Sequence, residues 1–132
     1  MRTRFLLAGV IGIASIYAQE PAQKATPKKV KVEGVNYYRD IEPILNSTCV
    51  SCHQAAMAAG GLRLDAPESV LQGGASGKAV VPGKADRSLL YIRLTDTTDK
   101  RMPPVGMLTE DQSALIRAWI NLGAKIGPTP KR

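Results

Sequence analysis

Residues 49–53 read Cys-Val-Ser-Cys-His, and this pentad decides what the rest of the chain is built around. C-x-x-C-H is the attachment pattern of haem c. The spacing has a chemical reason. Two thiols add to the two vinyl groups of the porphyrin, and the adjacent imidazole must then reach the iron. Residues at i, i+3 and i+4 share one face of a helical turn, so Cys49, Cys52 and His53 point at one plane. His53 then becomes the proximal axial ligand.

Other uses of the pentad fit less well. A tetrahedral zinc site wants four ligands, and the whole chain holds two cysteines and one histidine. A thioredoxin-like dithiol would stand beside a βαβ pattern, and no strand-rich run precedes Cys49. A structural disulfide closing so short a loop would remove little unfolded-state entropy.

The sixth iron ligand separates electron carriers from ligand binders. With a single histidine, bis-histidine ligation within one chain is excluded. Beyond Met1, three methionines remain. Met57 follows His53 by one turn on the proximal side and cannot reach the opposite face. Met102 lies in Lys100-Arg101-Met102-Pro103-Pro104, a proline-stiffened connection between two helices, whereas Met107 sits close to the cap of the last helix. Met102 is therefore the expected sixth ligand, set against the ordinary use of methionine as a core gap-filler.

The N-terminus supports an exported haem protein. Met1-Arg2-Thr3-Arg4 is basic, and the apolar run Phe5–Ala18 is too short to span a bilayer, so residues 1–18 read as a signal peptide. Ile16 stands where a small residue is preferred, so an uncleaved leader acting as an anchor is the alternative. Residues 19–34, rich in Lys, Pro, Gln and Ala, read as a flexible tether. The folded unit is expected over residues 35–127, with a C-terminal tail at 128–132. Fewer than a hundred residues make a thin core, to which a buried haem would add apolar surface.

The periodicity of this unit is helical. Tyr37–Asn46 carries Tyr37, Tyr38, Ile41, Ile44 and Leu45 at helical spacing, with Pro43 tolerable only in a first turn or at a kink. Asp65-Ala66-Pro67-Glu68 reads as a helix start with Asp65 as cap, ending at Gly73-Gly74. Pro82-Gly83 marks a turn. A helix over Asp86–Leu94 would turn Leu89, Leu90 and Leu94 inward and Arg87 and Arg93 outward. In the last helix Thr109 and Gln112 form a capping box, Gly123 fits the position after its end, and Leu115, Ile116, Trp119 and Ile120 make a core stripe. No segment reads as a hairpin, although Ala79-Val80-Val81 could run extended.

These pieces together resemble the planctomycete-type cytochrome c domain, a branch of the small monohaem class I-like cytochromes c. The matching stretches are Asp40–Leu45, Cys49–His53, Gly61–Asp65, Gly73-Gly74, Val81–Gly83, Ser88–Leu90, Arg101–Pro104 and Leu115–Gly123. The resemblance implies an all-α cytochrome c fold: about four short helices around one covalently attached haem c, with crossed first and last helices. It also implies His53 and Met102 as axial ligands. Such domains often open much larger proteins, so a larger protein's activity does not transfer.

The expected function is single-electron transfer in the periplasm or another exported location, with no catalytic side chain. Arg63 and Arg101 are candidates to pair with haem propionates. The formal charge of +7 falls to +5 without Arg2 and Arg4, and predicts donor and acceptor proteins with acidic docking surfaces. Nucleic acid is a poor partner, because export and the scarcity of aromatic residues on basic stretches argue against it. Membrane contact requires an uncleaved leader. Two alternatives remain: a haem-based ligand sensor or small peroxidase with a displaceable or absent sixth ligand, and a haem-free CxxC thiol–disulfide protein.

Overall fold

The computed structural model describes residues 34–131; the expected signal peptide and all but the last residue of the tether lie outside them. Four α-helices, α1 (Glu42–Thr48), α2 (Pro67–Gln72), α3 (Leu89–Thr95) and α4 (Glu110–Asn121), carry the unit. With the short 3-10 turns Ala59–Gly61 and Ala85–Arg87, they form the mostly helical small cytochrome c fold that the sequence predicts.

The first helical stretch begins in π geometry over Tyr37–Ile41 and becomes α-helical only at Glu42, whose N–H donates to the Tyr37 carbonyl. Pro43 explains the change. It has no N–H to give, and its ring crowds the carbonyl four residues back, so the turn before it widens. Asn36 closes the start: its side chain accepts from Arg39 N at 3.1 Å, and its own N–H donates to Asp40 at 2.7 Å.

Helix α4 packs on this N-terminal stretch. Its buried stripe of Ile116, Trp119 and Ile120 meets Tyr37, Ile41 and Leu45, all essentially inaccessible to solvent. Tyr37 and Trp119 sit 5.5 Å apart, and Trp119 Nε1 donates to the Lys125 carbonyl at 3.0 Å, so the indole is satisfied inside the core. The Thr109/Gln112 capping box forms as expected, and Gly123 takes a φ of 99° just past the helix end. Beyond it, Thr129 reaches back to Tyr38, with 3.1 Å between the hydroxyls.

Two expectations about local structure change. A short antiparallel pair, β1 (His53–Gln54) with β2 (Met57–Ala58), follows the cysteine pentad where no hairpin was read. Four residues of neutral propensity carry no turn signal; the pairing is set by the segment's docking. The second change concerns α2, whose cap is Ala66 with no side-chain cap bond. Asp65 is otherwise engaged: it accepts from Arg63 Nε and Nη2, both at 3.0 Å, and from Ala55 N at 3.2 Å.

Ala79-Val80-Val81 pairs with no strand among the described residues. It is held by Leu90 N donating to Ala79 O at 2.8 Å and by Val81 N donating to Ser88 Oγ at 2.8 Å. Ser88 is fully buried and also donates to Lys84 O at 2.9 Å. Ser88→Ala would strand the Val81 N–H away from water, and should cost about 1–3 kcal/mol. Denaturant titration checks this; an unchanged midpoint would show that water or backbone movement replaces the hydroxyl.

Candidate haem-binding site

The pentad starts at the end of α1. Cys49 is the residue after its last turn, and Cys52 N and His53 N both donate to the Cys49 carbonyl, at 3.2 and 3.0 Å. The chain thus makes one further helical turn through the motif. His53 is then clamped: its carbonyl accepts from Leu64 N at 2.7 Å, and it pairs in register with Ala58. The Arg63–Asp65 ion pair and the Ala55–Asp65 bond tie the hairpin to the Leu62–Asp65 strand of chain.

Cys49, Cys52, His53 and Met102 all line one cavity of about 610 Å³. That size lies within the roughly 300–1,000 Å³ typical of cofactor sites. Leu62, Leu64, Ala79, Leu89, Leu90 and Leu94 supply its apolar walls. Gly60, Gly74 and Gly77 line the side where two loops cross closely. A Cβ on Gly74 would stand 2.7 Å from Gly60 O and 2.9 Å from Leu62 N, so only glycine permits that crossing.

Met102 reaches the cleft from the opposite segment of chain. Its N–H donates to Arg93 O at 2.9 Å, at the end of α3, and Arg101 Nη2 donates to Gly106 O at 3.3 Å across the loop. Asp96 shapes the approach by accepting from Thr98 N at 2.8 Å and Thr98 Oγ1 at 2.7 Å. Neither Met57 nor Met107 lines the cleft; they are 58% and 74% exposed. Of the three candidates, the structure brings only Met102 to His53.

The arginines are placed differently from expectation. Arg63 is bonded to Asp65, and Arg101 turns to Gly106 O; neither lines the cleft. Arg93, read as outward, lies on its wall and pairs with Asp96 at 3.4 Å, and Lys100 lies there too. Arg93 lies four residues after Leu89 and three after Leu90, so it shares the face of the inward leucines within α3, and its charge alone suggested an outward position. Trp119 belongs to the core, not to the cleft.

The electrostatics separate Cys49 from a reactive thiol. The two cysteines are not bonded to each other, and burial pushes the Cys49 thiol up to about 11. A redox-active cysteine needs the opposite shift. Among the described residues, no group of three or more His, Cys, Asp or Glu could hold a metal ion, so no carboxylate stands where a zinc site would need one.

Residues 49–106 match the family model described as planctomycete cytochrome C. The chain carries a planctomycete-type cytochrome c domain. Among solved structures this cytochrome c chain is similar to hydrazine synthase of Kuenenia stuttgartiensis, with 30% identity and a TM-score of 0.51. The likeness covers 74% of this chain and 17% of that one, so the chain spans a small part of that protein's length. No curated protein matches it.

A cytochrome c domain implies covalently bound haem c, and the residues present fit that group. The two thiols, the imidazole and the thioether share one apolar cleft. His53 Nδ1 is the one buried side-chain nitrogen or oxygen among the described residues without a hydrogen-bond partner. Such an atom is costly unless a non-protein group engages the ring.

Three carboxylates pin the frame around this site and give it an acid limit. Arg39 holds the Asp40 carboxyl below the usual range, Arg63 does so for Asp65, and the Thr98 hydroxyl for Asp96. A lowered native pKa contributes stability above the unfolded value and loses it as pH falls through the native one. Thermal midpoints should therefore be insensitive to these groups near neutrality and decline only below about pH 4. A decline already complete at about pH 5 would show that other groups govern acid unfolding.

Proposed function

We propose that this chain is an exported monohaem c-type cytochrome that carries single electrons, with Cys49 and Cys52 as thioether attachments and His53 and Met102 as axial ligands. The observation that carries this reading is the convergence of those four side chains on one apolar cleft. Haem c, when bound, supplies a one-electron ferric/ferrous couple.

The chain's own residues position, ligate and shield. His53 binds through an imidazole nitrogen, and Met102 through a thioether that favours the ferrous state. Leucines of the walls exclude water, which pushes the potential the same way. Arg93 and Lys100, which line the cleft, are the cations that would meet propionates. If His53 and Met102 both hold the haem iron, no position would be left open for a substrate, and outer-sphere electron transfer would be the natural role.

Partner choice follows from charge. Across residues 34–131 there are 11 Lys and Arg against 9 Asp and Glu, so most of the formal +7 lies in residues 1–33 and Arg132. Without residues 1–18, the four lysines and two glutamates of residues 19–33 leave +2 there, equal to the +2 of residues 34–131, so acidic donor and acceptor surfaces would be met by both the Lys-rich segment and the folded unit. Removing residues 19–33 should flatten the salt dependence of electron transfer to an acidic partner. An unchanged slope would place the steering charges on the folded unit.

Planctomycete cytochrome c domains are typically exported, and the leader-like start of this chain points to the periplasm as the finer location. Among the described residues no helix is long and apolar enough to cross a membrane. The likeness to part of hydrazine synthase favours one second reading: a unit that handles electrons while docked on a larger redox enzyme. The raised Cys49 thiol weighs against the haem-free dithiol.

Spectroelectrochemical titration tests the proposal. A single reversible one-electron wave is expected, with no peroxidase turnover. Steady peroxide turnover by the ferric protein would move the assignment to the ligand-binding class.

A further inference from the structure

The His53 ring is held from its backbone. Its Nδ1 has no hydrogen-bond partner among the described residues, so no bond to that atom fixes the ring. The main chain on either side is secured instead. His53 O accepts from Leu64 N at 2.7 Å, and Ala59 N donates to Cys52 O at 3.2 Å across the hairpin. Gln54 and Met57 pair in register, which leaves Ala55-Ala56 as the turn. Neither alanine has a positive φ, whereas the turns that close two-residue hairpins unaided need one. This hairpin therefore depends on a tie from outside itself.

Asp65 provides that tie. Its Oδ2 accepts from Ala55 N at 3.2 Å, while Arg63 Nε and Nη2 hold the two carboxylate oxygens at 3.0 Å each. The Arg63–Asp65 pair is partly open to solvent, and such pairs add little stability by themselves. Its consequence is one of aim: the guanidinium fixes the carboxylate on the turn. Residues 62–65 thus grip the hairpin at both Ala55 and His53, and Leu62 and Leu64 of the same segment line the cleft.

We propose that Asp65 is a positioning residue for the axial imidazole, fixing the hairpin through Ala55 N and, through the hairpin, the plane of the His53 ring over the haem. This rests on the assignment of His53 as axial ligand. Asp65 does not itself line the cleft, so it acts only through the backbone. Outer contacts commonly orient a metal-ligating histidine through its second ring nitrogen. Here the orienting contact lies two residues along the chain.

Asp40 supplies a matched control. It too pairs with an arginine, Arg39, and accepts from a backbone N–H, Asn36 N at 2.7 Å, but it stands at the start of the first helical stretch and does not line the cleft.

The test is proton NMR of the ferric holoprotein, where the spread of the haem methyl resonances reports the planes of the axial ligands. Asp65→Ala should change that spread and speed amide exchange at Ala55 and Leu64 by about tenfold, as expected for loss of one charge-assisted hydrogen bond. Asp65→Asn should keep the wild-type spread, because its amide oxygen still accepts from Ala55 N. Arg63→Ala, which frees the carboxylate from its aim, should move the spread as Asp65→Ala does, and serves should the latter fold poorly. Asp40→Ala should leave the methyls in place. A wild-type spread in both Asp65→Ala and Arg63→Ala would overturn the proposal, as would an equal change in Asp40→Ala. A wild type that matures without attached haem would overturn the haem-protein reading and the proposal together.

Discussion

Cys49→Ser combined with Cys52→Ser, expressed in a host able to attach haem c, should yield a chain that releases all its haem under denaturing conditions. Both thiols line the same cleft wall, and neither is committed to a disulfide. A serine hydroxyl does not form the thioether, so any haem that entered would be held only by side-chain ligation and apolar contact. The loss should extend to stability. The described unit has few large buried side chains, and the leucines of the cleft would face water without an apolar group between them. Haem staining after denaturing electrophoresis reads the first effect, and the thermal midpoint reads the second. Full retention of stain in the double variant would remove the attachment assignment.

Met102→Ala should abolish the far-red methionine–ferric band and lower the reduction potential by on the order of 0.1 V or more, within the roughly 0.8 V span that axial ligation commands. The direction follows from the thioether's preference for ferrous iron. Met57→Ala and Met107→Ala should leave both quantities in place, since neither side chain lines the cleft. A band that survives in Met102→Ala and disappears in Met107→Ala would mean that the loop carrying Lys100–Gly106 rearranges around the haem.

Much of this site is legible in the amino-acid order. The pentad states its own chemistry, and elimination among three methionines selects the one that lines the same cleft as His53. The Thr109/Gln112 box and Gly123 mark the ends of α4 because capping is a local interaction, complete within a few residues. What was not legible depends on contacts distant in sequence. Asp65 has the sequence position of a cap, but it is taken by Arg63, two residues back, and by Ala55, ten positions away in a hairpin without a turn signature. Arg93 stands one turn from Leu89 and Leu90 on the same face of α3, and a charged residue on an apolar face gains its meaning only from the cleft it borders.

The glycines show the same division. Gly73 at φ 87° marks the end of α2 and is expected from composition alone. The close approach of Gly74 to Gly60 and Leu62 is a tertiary fact, and it bears on function because both glycines border the cleft.

The absorption spectrum of the oxidised wild-type protein, matured with haem c, tests the central claim most directly. A low-spin spectrum with the weak far-red methionine–ferric band is predicted, because His53 and Met102 flank one apolar cleft. A high-spin spectrum without that band would contradict it, and would mean that this cytochrome c domain leaves its iron open to ligands.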